Sequence, residues 1–310
     1  MAVNTIAYAQ IFQQELDRQV VAKATSGWME GNAGLVIYNG GNQIKVPKMN
    51  MDGMGSYDRA NGFVGGSATL SYETLTMGQD RGRTFSLDSM DVNESNFVAS
   101  ASTLMGEFQR TQVIPEIDAY RYSKIASLAI AGSRASGGYT PAIADILTKL
   151  RADIANIQDV VGVDTPLVIT MSTATLNVLE GSSELVRQLS VGTFNGGVDL
   201  TYSVKMVDEC PIVEVPSARL KTAYVFNDGK TTGQTAGGFS AAVGSKTVNW
   251  IIMAQNAPIA VSKTDNMRIF DPVTNQAADA WKIDYRKYHD LFIMDNKLAT
   301  LFVNVKEALV

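Results

Sequence analysis

The sequence predicts an α+β protein with a long projecting hairpin, and three observations carry that reading. Ile44 and Val46 alternate against Lys45 with a period of two, and a second alternating run returns through Leu70, Tyr72, Phe85 and Leu87. From residue 95 to residue 130 the apolar period becomes helical. Helix, strand and helix then follow one another between Thr140 and Leu179, the order of a small α+β domain.

Ile6, Ile11, Phe12, Leu16 and Val20 form a loose helical stripe over residues 4–24, read as an arm with one amphipathic helix. The hairpin legs follow from Gln43, and the stretch between them, residues 50–67, holds Gly53, Gly55, Gly62, Gly65 and Gly66, the composition of a loop tip. Pro47 in the outgoing leg marks a strand with a free edge, because proline cannot donate to a ladder.

Phe97, Ala101, Leu104, Met105 and Phe108 then share one helical face. Pro115 is expected to kink or restart this helix, after which Ile117, Tyr120, Ile125 and Leu128 continue it as a broken rod on the order of 50 Å long. After Gly137 and Gly138, Thr140 and Pro141 read as a helix cap with proline at the first helical position. The stripe Ile143, Ile146, Leu147, Leu150, Ile154 and Ile157 is the clearest in the sequence. Leu167 to Met171 reads as a buried strand, and Ser172 as the cap of a helix through Leu176 and Leu179. Further strands are expected at residues 203–207, 212–215, 223–226 and 250–254, with an exposed loop over 228–244. The last fifty or so residues read as extended segments at 267–270, 281–285, 292–294 and 301–305.

Composition excludes several classes of function. The 310 residues, 45% of them hydrophobic, suffice for one large core or two modest ones. The longest apolar runs, such as Leu128 to Ala131, fall far short of the roughly 20 residues of a membrane span. Residues 1–10 lack the basic start and apolar stretch of a signal peptide, so folding in the cytoplasm is expected. Asp and Glu outnumber Lys and Arg by 31 to 26, and no segment concentrates cations, which disfavours sequence reading of nucleic acid.

Little catalytic chemistry is on offer. The single histidine, His289, rules out a histidine-containing metal cluster and reads as a packing residue. The single cysteine, Cys210, reads as a buried thiol. Residues 238–247 approach a phosphate loop, but Ser245 stands where glycine should precede Lys246, and a flexible loop is the better reading. The neighbouring carboxylates Glu116 and Asp118, and Asp208 and Glu209, read as solvated faces. Asn93-Glu94-Ser95 is a formal glycosylation acceptor without a secretion signal. No cofactor, metal or catalytic residue is assigned.

The order of arm, glycine-tipped hairpin, long helix, α+β domain and returning extended segments resembles tailed-bacteriophage major capsid proteins of the Hong Kong 97 type over nearly the whole chain. The local similarities are Val113-Ile114-Pro115-Glu116-Ile117-Asp118-Ala119-Tyr120-Arg121-Tyr122, Pro211-Ile212-Val213-Glu214-Val215-Pro216-Ser217 with Phe226-Asn227-Asp228-Gly229, and Arg286-Lys287-Tyr288-His289-Asp290-Leu291-Phe292 with Asn296-Lys297. The resemblance implies an N-terminal arm over 1–36, an extended loop over 37–91, a peripheral domain with its spine helix over 92–137, an axial domain over 138–256 and a return to the peripheral domain over 257–310. It implies a structural, non-enzymatic subunit that assembles with itself into the icosahedral shell around double-stranded DNA. Its place would be the virion capsid, after assembly in the host cytoplasm.

A two-legged projection cannot bury its faces on its own subunit and should lie on a neighbour. Lys45, Lys48, Arg59, Arg81 and Arg83, all placed by the sequence in that projection, are the candidate inter-subunit contacts. The sequence begins directly with the arm, so a separate scaffolding protein or a mature start is expected, with a portal as a further partner. Lys45 and Lys48 lie where some members form a covalent crosslink, but no partner for one is identified, and a non-covalent shell is expected. The same fold would also serve an encapsulin-type nanocompartment. A carboxylate-only soluble enzyme and a tail-tube protein are the readings from other classes; the second would consist mostly of strands.

Overall fold

The computed structural model describes residues 24–35, 37–38, 42–60, 62–88, 104–182, 190–195, 201–275 and 278–309. Apart from Ala24, the expected arm helix lies outside these residues, as do Asn93-Glu94-Ser95 and the first turns of the expected rod.

A 3-10 segment at Gly27–Leu35 leads into β1 (Ile37–Tyr38) and β2 (Gln43–Met51), and β3 (Ala68–Thr76) returns antiparallel to β2 in a sheet of order β1-β2-β3. Pro47 lies beyond the two residues of β1, where β2 has no second neighbour. The returning leg differs from the expectation. It ends at Thr76, and β4 (Gln79–Asp88), which carries Phe85 and Leu87, joins another sheet. Two hydrogen bonds mark the break: Met77 donates its N–H to the Asn42 carbonyl at 2.8 Å, closing the ribbon, and Gly78 donates to the buried Asp290 carboxylate, far away in sequence, at 2.8 Å.

The long helix runs without a break through the described residues 104–131, but its ladder widens at Gln109–Val113 into a π turn, followed by α1 (Ile114–Ala131). Pro115 has no N–H to return to residue 111, and the turn before it relaxes instead of kinking, with the Ile114 N–H reaching Gln109 O. The expected interruption is therefore a register change within one rod.

Beyond α1 the chain forms β5 (Ala135–Ser136), α2 (Ile146–Val161), β6 (Leu167–Ser172), α3 (Thr173–Glu180), β7 (Ser190–Asn195), β8 (Thr201–Val207) and β9 (Cys210–Val215). After them come β10 (Tyr224–Phe226), β11 (Phe239–Ala241), β12 (Val248–Ala254), β13 (Pro258–Phe270), β14 (Ala280–Ile293) and β15 (Leu301–Val305). Ser172 caps α3 as expected, accepting the Thr175 N–H at 3.2 Å. Helix α2 starts after the expected Thr140-Pro141 cap, because Ile143 is exposed and the buried stripe begins only at Ile146.

A seven-stranded sheet of order β5-β15-β12-β6-β9-β8-β7 lies between the two helices. Ile169, Met171, Trp250 and Ile252 pack with Ile146, Leu150, Ile154 and Ile157 of α2. Val168, Ile251, Met253 and Val303 pack with Tyr122, Ile125, Ala126 and Ala129 of α1. Covered on both faces, β6 and β12 are buried at every residue, which is why they read as continuous apolar runs and not as alternation. Ile169→Ala is expected to cost about 2–5 kcal/mol, read as a lowered urea midpoint with an unchanged slope.

Of the short extended segments expected near the C-terminus, 301–305 is β15 of the seven-stranded sheet, whereas 267–270 belongs to β13 and 281–285 and the start of 292–294 to β14, two long strands of a second sheet of order β13-β14-β4. Their alternation is obscured by buried polar residues: Lys287, His289 and Asp290 are all buried in β14. At Gly82 the β4 backbone runs so close to β14 that a Cβ would stand 2.8 Å from Tyr285 O.

Candidate assembly surface

The β2–β3 ribbon has one end anchored and the rest uncovered. At the anchored end Ile44, Val46 and Met77 pack against Ile259, Val261, Phe292 and Met294. In antiparallel register Pro47 faces Tyr72, Met49 faces Leu70 and Met51 faces Ala68, so these six side chains share one face. That face is contiguous and apolar, yet Met49 is 61% exposed, Met51 67%, Leu70 60% and Tyr72 53%. The tip carries further exposed apolar side chains. Phe63 and Tyr57 meet with ring centroids 5.0 Å apart, and Met54 and Val64 stand exposed beside them. Hydrogen bonds from Asp52 N–H to Ser67 O and between Asp58 and Gly62 close the tip on itself. An apolar face of this extent, left bare on its own subunit, is the mark of an interaction surface.

The candidate cations divide between ribbon and body. Lys45 lies near the anchored end, Lys48 stands 3.8 Å from Asp295 of its own chain, and Arg59 is exposed at the tip. Arg81 and Arg83 lie on β4, outside the projecting ribbon. Arg81 holds Glu116 through Nε and Nη2, one edge of its guanidinium, at 2.7 and 3.2 Å and also donates from Nη1 to Asn227 O at 2.7 Å, while Arg83 donates to Thr235 O at 3.3 Å. Together they hold the segment 227–238 over the start of α1. Between this segment, β4 and α1 lies a cleft of about 460 Å³, lined by Phe85, Phe108, Tyr285 and His289 among others.

Two carboxylates organise the body, and sequence reasoning missed both. Asp118, expected on a solvated face, is fully buried and accepts both the N–H and the hydroxyl of Thr25 and of Ser26, with the Arg219 guanidinium at 3.2 Å. Arg121, one turn on, donates to Ser26 O and to Glu30. Burial acts to raise the Glu30 carboxyl, but Arg121 and Lys287 outweigh it and hold it below its usual value. Asp290 accepts from Lys124, from the Tyr120 hydroxyl at 2.6 Å and from Gly78 N–H. For Asp118 the available signal was its place in the helical period, on the buried side, whereas Asp290 is in phase with exposed Arg286 along β14 and alternation gave no signal for it.

His289 is 3% exposed, with its ring edge-on to Tyr120 at 5.6 Å and its Nδ1 without a hydrogen-bond partner among the described residues. Burial, followed by the charges of Arg121, Lys287, Arg81 and Lys124, keeps it neutral well below the usual 6.5. The unfolded chain binds that proton near pH 6.5 and the folded chain only lower, so stability is full above pH 6.5 and declines as pH falls beneath it. The urea midpoint is expected to drop between about pH 7.5 and about pH 5.5, and His289→Gln to flatten that slope. Cys210 is buried, its thiol pushed up to about 11 by burial and by Asp208 and Glu209, which makes it unreactive. Residues 238–247 form β11 and a turn that leads into β12, with the Lys246 ammonium donating to Ala308 O at 2.6 Å, not a phosphate cradle.

No protein-family model matches the chain, and no curated protein matches it by sequence. Solved structures do match. A bacteriophage PhiM1 mature capsid aligns with a TM-score of 0.58 at 14% identity, over 89% of this chain and 86% of that one. The capsid of cyanophage P-SCSP1u aligns with a TM-score of 0.59 at 10% identity, over 86% and 84%. This is the capsid fold of tailed phages. A virus-like particle from Pyrococcus furiosus shares the capsid fold at a TM-score of 0.50 and 11% identity, over 96% and 99%. Among the described residues no helix is long and apolar enough to cross a membrane, and no group of three or more His, Cys, Asp or Glu could hold a metal.

Proposed function

We propose that the chain is the structural subunit of a tailed-phage shell, assembling with itself into a closed icosahedral container for double-stranded DNA, and that it works without catalysis. The observation that carries this reading is the contiguous apolar face of the β2–β3 ribbon, bare on a subunit whose fold is that of a capsid protein. Only another molecule can cover that face, and in a closed shell each subunit offers its neighbour the same one.

The chain divides for this task into an arm over 1–36, an extended loop over 37–91, a peripheral domain over 92–137 and 257–310, and an axial domain over 138–256. Lys45, Lys48 and Arg59, on or beside the ribbon, contact acidic groups of the neighbour, while Arg81 and Arg83 act from the body surface. A separate scaffolding protein and a portal are the expected partners, the shell is non-covalent, and assembly takes place in the host cytoplasm. The net charge of −5 leaves the enclosed DNA loosely held.

A nuclease-protection assay on particles isolated from producing cells tests the container role. Nuclease-resistant DNA of uniform length is expected. Particles that protect no DNA but hold a folded protein cargo would instead place the chain with nanocompartment shells.

A further inference from the structure

We infer that Met49, Met51 and Met54 are an oxidation site that controls assembly: with these thioethers reduced the free subunit is competent, and with sulfoxides in their place it is excluded from the growing shell. This rests on the shell reading and adds a chemical control to the same apolar face. Among the described residues the exposed methionines are these three, and all of them lie in the far half of the ribbon or at its tip. The methionines of the cores are withdrawn from water, with Met29, Met105, Met171 and Met253 at most 1% exposed. A dissolved peroxide therefore reaches the ribbon's thioethers and spares those of the cores. The single cysteine, Cys210, is buried and does not compete for it.

The placement gives the reaction its consequence. Met49 and Met51 stand two residues apart on β2, so both side chains point to the apolar face, opposite Leu70 and Ala68 across the ladder. Met54 follows Gly53, whose surroundings are open even to an added Cβ. Each sulfur gives an electron pair to the peroxide: an S–O bond forms, the O–O bond breaks and water leaves, so the thioether is oxidised and the peroxide reduced. On the free subunit the side chain is in water before and after, and the fold does not feel the change. In a subunit contact the sulfoxide must shed its water and the thioether's apolar burial is lost, a factor of about ten or more in association per side chain. A methionine sulfoxide reductase reverses the step, its two thiols becoming a disulfide as the oxygen leaves as water. Once the face is covered in a particle the thioethers are shielded, so the control acts before assembly.

Partial oxidation of dissociated subunits with hydrogen peroxide tests this. The treated pool is placed under assembly conditions, and particles and leftover subunits are separated and mapped by peptide mass spectrometry. Sulfoxide at Met49, Met51 and Met54 is expected to be enriched about tenfold or more in the leftover subunits over the particles. The urea midpoint of the oxidised subunits is expected to match that of untreated ones, and reductase treatment is expected to return the leftover subunits to particles. Equal sulfoxide in the two fractions, enrichment that maps to other methionines, or a lowered urea midpoint would overturn the oxidation control and leave the shell reading intact. Leftover subunits that stay inactive after their sulfoxides are reduced would overturn it as well. Untreated subunits that form no particles under any condition would overturn the shell reading and the control with it.

Discussion

Asp118→Ala is expected to lower the stability of the subunit by about 3–5 kcal/mol, the largest effect of any single side chain outside the apolar core. The reason is the number of donors that Asp118 alone satisfies. Removing it orphans the Thr25 and Ser26 N–H groups and their hydroxyls, and leaves the Arg219 guanidinium, largely withdrawn from water, facing no charge. Asp118→Asn keeps one acceptor oxygen and should recover part of the loss. Urea unfolding of both variants measures it. If the alanine variant unfolded within 1 kcal/mol of the parent, the buried cluster would not be what fixes the Gly27–Leu35 segment against α1.

Replacing residues 52–67 by a two-residue Asn-Gly turn is expected to leave the subunit's urea midpoint nearly unchanged and to abolish assembly. The ribbon's far half touches little of its own chain, so the folded subunit loses little, on the scale of about 0.5 kcal/mol typical of surface changes. A shell, however, repeats the lost contact at every subunit, and weak interfaces summed over a closed lattice fail together. Light scattering under assembly conditions reads the difference. Particles forming normally from the shortened chain would deny the tip any part in the lattice.

Much of the architecture was legible because its elements obey simple periods. The α2 stripe, the Ser172 cap and the fully buried strands at Leu167–Ser172 and Val248–Ala254 follow from one buried helix face and from a sheet covered on both sides. What escaped has physical causes. The return leg was read through to Leu87 because alternation continues past Met77, while the break depends on Gly78 finding Asp290 more than two hundred residues away. Strands β13 and β14 looked like fragments because Lys287, His289 and Asp290 occupy buried positions that only tertiary partners make tolerable. Of the candidate site, the ribbon and its glycine tip could be seen, but the register that gathers Met49, Met51, Leu70 and Tyr72 on one face could not, since it is set by pairing. Arg81 and Arg83 were grouped with the ribbon by sequence proximity alone.

The most direct test of the account is electron microscopy of the purified protein after size-exclusion chromatography, with and without a candidate scaffolding protein. Uniform hollow particles tens of nanometres across, or rings of five and six subunits, are the expected result. A monodisperse monomer or small oligomer that never assembles under either condition would contradict the claim that this chain builds a shell.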